Sequence, residues 1–161
     1  MKRTVKVLKH SDIANIVINE NGDCYDLVAV EDCVVKSNKA HLVSLGVSMK
    51  LPSGCIAKIY DRSSNPCKRN FYLANSVGYI DNSYSGEEDV WKFQAAALRS
   101  SHYEATKINK GDRICQFEIC LSQKATVWQK IKWLFTSEIE LKEVSELLDE
   151  DREGFGSTGT K

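Results

Sequence analysis

The sequence predicts an all-β protein of the sandwich or barrel type. Short apolar runs recur along the chain, such as Tyr25–Val30 and Cys55–Tyr60. Turn-forming residues separate these runs, as in Asn21-Gly22-Asp23 and Lys110-Gly111-Asp112. Long helical patterns are few. Many short strands at close spacing, divided by turns, are typical of an all-β sandwich or barrel.

The length and charge of the chain limit the kinds of function that fit it. Its 161 residues suit a single domain with one core. Lys+Arg and Asp+Glu are both 22, so charge gives no argument for a nucleic acid or a membrane as a partner. No apolar run approaches the roughly 20 residues that span a bilayer, and the basic N-terminus lacks the apolar stretch of a signal peptide. We therefore expect no nucleic acid, no membrane and a cytoplasmic location.

The individual strands follow from alternation and from apolar runs. Val5 and Val7 alternate with polar residues in the run 4–9, which predicts the first strand. The later predicted strands are 25–30, 33–35, 42–47, 55–60 and 113–119. The six cysteines form no Cys-x-x-Cys pair, so we expect small apolar residues in strands rather than a zinc site or disulfides.

The stretch 75–87 carries a polar tip between two glycines. Asp81-Asn82-Ser83 are turn formers, and Gly78 and Gly86 lie on either side of them. This pattern predicts a β-hairpin or a tight loop. An acid, an amide and the Tyr84 ring at such a tip suit a small flat ligand, although an ordinary surface hairpin has the same composition.

Residues 124–138 have helical periodicity in an otherwise β-rich chain. Apolar side chains at helical spacing line one face: Val127, Trp128, Ile131, Leu134 and Phe135. One interpretation is a helix that packs on its own domain. The other is a docking surface for a protein partner, because two tryptophans in one short insert are unusual for plain packing.

The last eleven residues, 151–161, are polar and rich in glycine. A frayed terminus is one interpretation of this composition. The other is an arm that orders over a phosphate-bearing ligand, because glycines let backbone N–H groups approach phosphate oxygens, and Arg152 and the hydroxyls of Ser157 and Thr158 add donors. We expect a β domain over 1–150 and an arm over 151–161.

Five segments, in order along the chain, resemble the five motifs of the trimeric deoxyuridine triphosphatases, the dUTPases. They are Tyr25–Val30, Asp61–Asn65, the stretch 75–87, Gly111–Phe117 and Arg152–Gly159. The run 111–117 and the short spacing from Arg152 to Phe155 resemble the bacillus and bacteriophage branch. The resemblance implies a jelly-roll-like β-barrel or sandwich with little helix. It also implies a homotrimer whose C-terminal arm reaches a neighbouring subunit, and hydrolysis of dUTP to dUMP and pyrophosphate with Mg2+.

The resemblance also implies roles for individual residues. Asp81 matches the catalytic aspartate that activates water, and Tyr84 matches the ring under the deoxyribose. Asp26 matches the acid that reaches Mg2+ through water. The positions that match uracil-reading groups are Asn75, Gly78 and Ile80, and Phe155 matches the ring that covers the base. The positions that match phosphate contacts are Arg62, Ser63, Ser64, Gln116, Arg152, Gly156, Ser157 and Thr158.

Two other functions fit parts of the sequence. A dCTP deaminase-like relative shares the fold, but Asp81 followed three residues later by Tyr84 matches the dUTPase pattern instead. A nucleotide-gated regulatory protein that acts on a partner through residues 124–138 belongs to a different class. The family resemblance leaves that insert unexplained.

Overall fold

The computed structural model describes residues 1–37, 39–98, 105–152 and 154. Within them the chain forms thirteen β-strands, one α-helix and one short π-helix. The strands are β1 Lys2–Lys9, β2 Ile16–Ile18, β3 Tyr25–Val28, β4 Cys33–Lys36, β5 His41–Ser44, β6 Val47–Lys50, β7 Cys55–Asp61, β8 Phe71–Leu73, β9 Val77–Ile80, β10 Lys92–Ala97, β11 Ala105–Ile108, β12 Arg113–Leu121 and β13 Glu138–Glu143. The helix α1 spans Val127–Leu134, and the π-helix spans Asn65–Arg69. The all-β prediction is confirmed.

The strands form four small sheets, and the largest of them positions the candidate site. This sheet has the order β2-β3-β12-β7-β9, with every neighbouring pair antiparallel. The others have the orders β13-β1-β6, β5-β10-β8 and β11-β4. The β1–β13 pair is parallel, so the end of the chain returns beside its beginning.

The core lies between these sheets and is filled by the inward residues of alternating strands. On β1, Val5 and Val7 are buried while Lys6 between them is exposed, as the alternation predicts. Aromatic rings fill the centre: Trp91 meets Phe117 edge to face at 5.3 Å, and Phe71 meets Phe93 at 6.1 Å. Such edge-to-face pairs add to the stabilisation that burial of the rings supplies.

The predicted strand over 42–47 is wrong as a single element. The structure divides this run into β5 and β6 at Gly46, which has a φ of +65°. A Cβ on Gly46 would lie 2.5 Å from Val30 Cγ1, so the corner needs glycine for space as well as for conformation. The apolar residues of the sequence continue across Gly46 because β5 and β6 both face the same core.

Helix α1 is present where the periodicity predicts it, and a capping box begins it. The Thr126 hydroxyl accepts from the Gln129 N–H, and the Gln129 side chain accepts from the Thr126 N–H. The helix does pack on its own domain, but the predicted apolar face is not the side that packs. The exposed fractions of Val127, Trp128, Leu134 and Phe135 are 70%, 73%, 80% and 70%.

A different side of α1 holds it to the domain. Trp133 packs against the core and stacks over the guanidinium of the buried Arg3, 5.5 Å from it. The Gln129 side chain donates to Ser53 Oγ at 2.7 Å and fills the space in front of Gly54. The helix is therefore anchored, and its apolar stripe faces away from the domain. Within the described residues, no helix has the length and apolarity needed to cross a membrane.

Candidate active site

Two arginines and one acid meet where β3, β7 and β12 lie side by side. Asp26 Oδ2 lies 3.3 Å from the Arg62 guanidinium and 3.4 Å from that of Arg113. Gln116 lies beside Asp26 on β12 and donates to the Asp61 carbonyl at 3.2 Å. These four side chains, Asp26, Arg62, Arg113 and Gln116, are called the arginine cluster below. Two guanidiniums converge here, and guanidinium groups suit a phosphate chain.

Asp61 organises the loop that carries the cluster, a role that the sequence motifs do not indicate. Its carboxylate accepts from Arg62 N at 2.9 Å, from Asn65 Nδ2 at 2.6 Å and from Leu73 N at 3.2 Å. These three bonds fix the exit of β7 and hold Arg62 beside Asp26. The available signal in the sequence was an acid at the last position of a strand, followed by a polar loop.

The predicted serines lie in the same loop. Ser63 is exposed, and Ser64 precedes the π-helix at its N-cap position without a side-chain capping bond. Pro66 lies in the first turn of this helix, where a missing N–H costs nothing. The loop therefore presents its hydroxyls beside Arg62.

The predicted hairpin over 75–87 is wrong, and the tight turn is right. Strand β9 pairs with β7, and it is the last strand of its sheet among the described residues. Asn75 lies in the turn before β9, and Gly78 and Ile80 lie on it. An edge strand leaves alternate N–H and C=O groups unpaired, so β9 offers backbone donors and acceptors to a ligand.

Asp81 follows β9 directly and begins a turn closed by a bond from Tyr84 N to the Asp81 carbonyl at 3.0 Å. The Asp81 side chain is 62% exposed. Asn82 fixes the turn to the segment 52–55, because its amide donates to the carbonyls of Pro52 at 2.9 Å and Cys55 at 3.0 Å. The structure thus holds an accessible carboxylate on a rigid turn.

Tyr84 stands at the far end of this turn with its ring half-buried. Its hydroxyl donates to the Val90 carbonyl at 3.2 Å, and a Cβ on Gly154 would lie 3.2 Å from its ring. Burial, with the nearby Asp89 and Asp151 carboxylates, raises the pKa of Tyr84 above its ordinary value. The ring is therefore a neutral, fixed surface at physiological pH.

Arg152 reaches the Asp81 turn of its own chain. Its guanidinium lies 2.8 Å from Asp81 Oδ2 and 2.6 Å from Ser83 Oγ. The structure therefore brings Arg152 to the catalytic candidate rather than to the arginine cluster. The other predicted arm residues, Phe155, Gly156, Ser157 and Thr158, lie outside the described residues.

The Asp81 turn borders a groove of about 480 Å³ that the insert helps to build. Asp81, Ser83 and Arg152 line one part of it, and Lys124 and Gln129 line another. The sequence motifs did not point to these last two residues. Their contribution depends on the anchoring of α1 through Gln129, which only the folded chain shows.

Within one chain, the Asp81 turn and the arginine cluster lie far apart. Ile80 is opposite Ala57 on β7, whereas Arg62 follows the other end of the same strand. Five residues of extended chain correspond to about 17 Å. A base and a phosphate clamp at this separation cannot act on the same bond.

The donor set for a metal ion is sparse. Within the described ranges, no group of three or more His, Cys, Asp and Glu side chains could hold one. Asp26 alone offers a carboxylate in the arginine cluster, and its side chain is 13% exposed. Mg2+ commonly keeps several waters and takes one or two protein carboxylates together with substrate phosphates. The residues therefore fit a phosphate-bound Mg2+, and they do not form an all-protein cage.

Comparisons with known proteins agree with these features. The family model described as dUTPase matches residues 16–159. The SPbeta prophage-derived deoxyuridine 5'-triphosphate nucleotidohydrolase YosS of Bacillus subtilis is 43% identical over 156 residues, which cover 96% of this chain and 97% of that protein.

Solved structures show the same fold. The dUTPase of Streptococcus mutans superposes with a TM-score of 0.67 at 23% identity, over 77% of this chain and 99% of that one. A mutant dUTPase from phage phi11 of S. aureus, in which a structural Mg(II) ion is coordinated, gives 0.64 at 18% identity, over 76% of this chain and 94% of that one. With the family model spanning most of the sequence, this chain belongs to the dUTPase family.

Proposed function

We propose that this chain hydrolyses dUTP to dUMP and pyrophosphate. The observation that carries the proposal is the Asp81 turn: an accessible carboxylate directly follows an edge strand whose backbone is open to a ligand. Membership in the dUTPase family supplies the substrate class. The reaction removes dUTP, which keeps uracil out of DNA, and supplies dUMP for thymidylate synthesis. The cytoplasm, or the host cytoplasm for a phage protein, is where both needs arise.

Asp81 acts as the general base in this proposal. Its carboxylate accepts a proton from a water molecule whose oxygen attacks the α-phosphorus. The bond from the α-phosphorus to the bridging oxygen breaks, and pyrophosphate leaves with that bond's electron pair. A carboxylate within hydrogen-bond reach of the water suits this role, because it is anionic at neutral pH. The Arg152 guanidinium holds the carboxylate in one orientation.

The backbone of β9 reads the base in this proposal. Gly78 and Ile80 offer N–H and C=O groups along the open strand edge, and Asn75 adds a side-chain amide. A buried hydrogen bond that the wrong base cannot satisfy costs about 1–3 kcal/mol, which favours uracil over cytosine. The fixed Tyr84 ring lies under the deoxyribose and leaves no room for a 2′-hydroxyl.

Arg62 and Gln116 of the arginine cluster bind the phosphates together with Ser63 and Ser64. Asp26 would hold Mg2+ through water. When bound, Mg2+ neutralises charge on the triphosphate. Electrostatic stabilisation of this kind is usually the largest contribution to phosphoryl-transfer catalysis. The arm residues Phe155, Gly156, Ser157 and Thr158 complete the proposal by covering the uracil and the phosphates.

We also propose that the working unit is a homotrimer. The distance of about 17 Å along β7 separates the base from the phosphate donors in one chain. A second copy of the chain, placed with its arginine cluster against the Asp81 turn of the first, brings the two together. A closed ring of such head-to-tail contacts gives every chain the same role.

The substrate panel tests this proposal. Pyrophosphate release from dUTP with Mg2+ is expected at least 100-fold faster, by kcat/KM, than release from dCTP, dTTP or UTP, because each competitor leaves a buried bond unpaired or meets a filled space. Coupled detection of pyrophosphate measures all four substrates. Equal turnover of dUTP and dCTP would contradict the proposed base reading, and ammonia release from dCTP would indicate the deaminase.

A second candidate function rests on the exposed stripe of α1. We propose that Val127, Trp128, Leu134 and Phe135 contact a protein partner. Large exposed apolar side chains in one patch that includes a tryptophan are typical of interface hot spots. Lys124, Lys130 and Lys132 flank the stripe, so the fitting partner has an apolar surface with an acidic rim.

The stripe is tested without removing the helix. Trp128→Ser combined with Leu134→Ser is expected to abolish capture of a host protein and leave kcat for dUTP within about twofold, because both side chains point away from the domain. Pull-down with mass spectrometry identifies the captured protein, and titration of that purified protein gives its Kd. The matched control is Lys142→Ser, an exposed change on β13. Unchanged capture by the double variant would exclude the stripe as the docking surface.

A further inference from the structure

Asp89 is a buried acid that joins two distant parts of the chain. It is 2% exposed, and it lies between the Asp81 turn and the buried Trp91. Its Oδ2 accepts from Gly86 N at 2.9 Å, and both of its oxygens lie 2.9 Å from Arg152 N. One carboxylate therefore ties the 86–89 loop to the start of the arm. Burial of a carboxylate is costly unless several N–H groups satisfy it, as they do here.

The residues around Asp89 hold the same stretch of arm. Asp149 accepts from Lys50 Nζ at 2.5 Å and from Ser85 Oγ at 2.9 Å. The bond from Lys50 is the main reason that the pKa of Asp149 lies below its ordinary value. Asp151 Oδ1 accepts from Glu88 N at 2.7 Å. Asp89, Asp149 and Asp151 together align residues 149–152 along residues 85–89.

This alignment fixes where the Arg152 side chain begins. With its backbone N–H held by Asp89, the guanidinium reaches Asp81 Oδ2 at 2.8 Å and Ser83 Oγ at 2.6 Å. The Asp81 side chain is 62% exposed, so little else in this chain limits its rotation. Arg152 is therefore the group that orients the carboxylate, and Asp89 sets the place of Arg152.

We propose that Asp89 is a positioning residue for the proposed hydrolysis of dUTP. It holds the backbone of Arg152 so that the guanidinium orients the Asp81 carboxylate of the same chain before substrate binds. The inference rests on the proposed function, because the proposed function assigns Asp81 as the general base. A misplacement of a catalytic group by about 1 Å can cost 100-fold in rate. Loss of one positioning bond is expected to cost less, because the neighbouring acids still hold the arm.

The competing explanation is that Asp89 only stabilises the 86–89 loop through Gly86. The two explanations predict different results when the substitutions of Asp89 and Arg152 are combined in one chain. A residue that acts through Arg152 has no effect once the guanidinium is gone, whereas a loop stabiliser keeps its effect in either background.

The experiment is a double-mutant cycle on the full chain with Mg2+ and dUTP. Asp89→Asn, Arg152→Gln and the double variant are compared by kcat, KM and Tm. We expect Asp89→Asn to lower kcat about tenfold with KM within about twofold, and the double variant to match Arg152→Gln alone. The matched control is Asp32→Asn, whose carboxylate also accepts a backbone N–H from a distant loop, from Lys110 at 2.8 Å. Its kcat is expected to stay unchanged.

Two results would overturn the inference. One is a wild-type kcat for Asp89→Asn in a chain that hydrolyses dUTP. The other is an Asp89→Asn effect that persists in the Arg152→Gln background. If Asp89→Asn does not fold, the cycle is run with Asp89→Glu, which keeps the charge but displaces the carboxylate by one methylene, and the same non-additivity decides. A wild-type chain without dUTP turnover would instead refute the proposed function.

Discussion

Replacing Asp81 with asparagine is expected to lower kcat for dUTP hydrolysis by about 10²–10⁴-fold, the usual contribution of general-base catalysis. Asparagine has the same shape as aspartate, but its amide cannot take the proton of the attacking water. Its oxygen still accepts from Arg152, so the arm stays in place. The KM is expected to change little. Steady-state kinetics and single-turnover measurements with dUTP and Mg2+ check this.

The fold of this variant is expected to be unaffected, because the Asp81 side chain is 62% exposed. A Tm within about 2 °C of the wild-type value confirms that the loss is chemical, since surface substitutions usually change stability by less than about 0.5 kcal/mol. Asp32→Asn, remote from the turn, serves as the control for loss of one carboxylate. A kcat for Asp81→Asn above a tenth of the wild-type value would mean that another group activates the water.

Much of the fold could be predicted from local pattern. Alternation gave β1, and apolar runs between turn formers gave β7 and β12 nearly to the residue. The corner at Gly46 could not be predicted, because residues on both sides of it are apolar and only the proximity of Val30 forces the bend. The hairpin at 75–87 failed for a related reason. Turn residues predict a turn, but they do not say which strand the preceding segment pairs with.

The outward orientation of α1 shows another limit of pattern. Periodicity identifies an apolar stripe, but it does not say what covers the stripe. The chain instead uses Trp133, on another side of the helix, because the buried Arg3 offers it a cation–π contact. A tryptophan outside the stripe was the available signal in the sequence.

The sequence motifs indicate single residues of the candidate site but not how those residues are arranged. The motif residues Asp26, Arg62 and Gln116 do lie together. Asp89 was missed, because an acid after Glu87 and Glu88 resembles a solvated loop until its burial is known. The contact between Arg152 and Asp81 joins positions 71 residues apart, so no local pattern could indicate it.

The separation of the two parts of the site leads to the second large effect. Asp81→Asn and Arg62→Gln chains are each expected to be nearly inactive, and the proposed trimer, assembled from an equal mixture, is expected to regain activity. An intact site takes Asp81 from an Arg62→Gln chain and Arg62 from an Asp81→Asn chain. Random assembly of a closed ring makes about one quarter of the sites intact. Co-expression with two different tags, tandem purification and a dUTP assay measure the recovery.

The control mixture combines Asp81→Asn chains with chains that carry both substitutions, so that no chain supplies an intact Asp81. Its activity is expected to equal that of Asp81→Asn alone, although its assembly and Tm match those of the complementing mixture. Recovery only in the complementing mixture requires that Asp81 of one chain and Arg62 of another chain act on the same dUTP molecule. If the complementing mixture shows no more activity than the sum of its parts, both groups act from one chain. The strand β7 would then have to bring its two ends together, and its continuous pairing with β12 from Cys55 to Asp61 opposes such a bend.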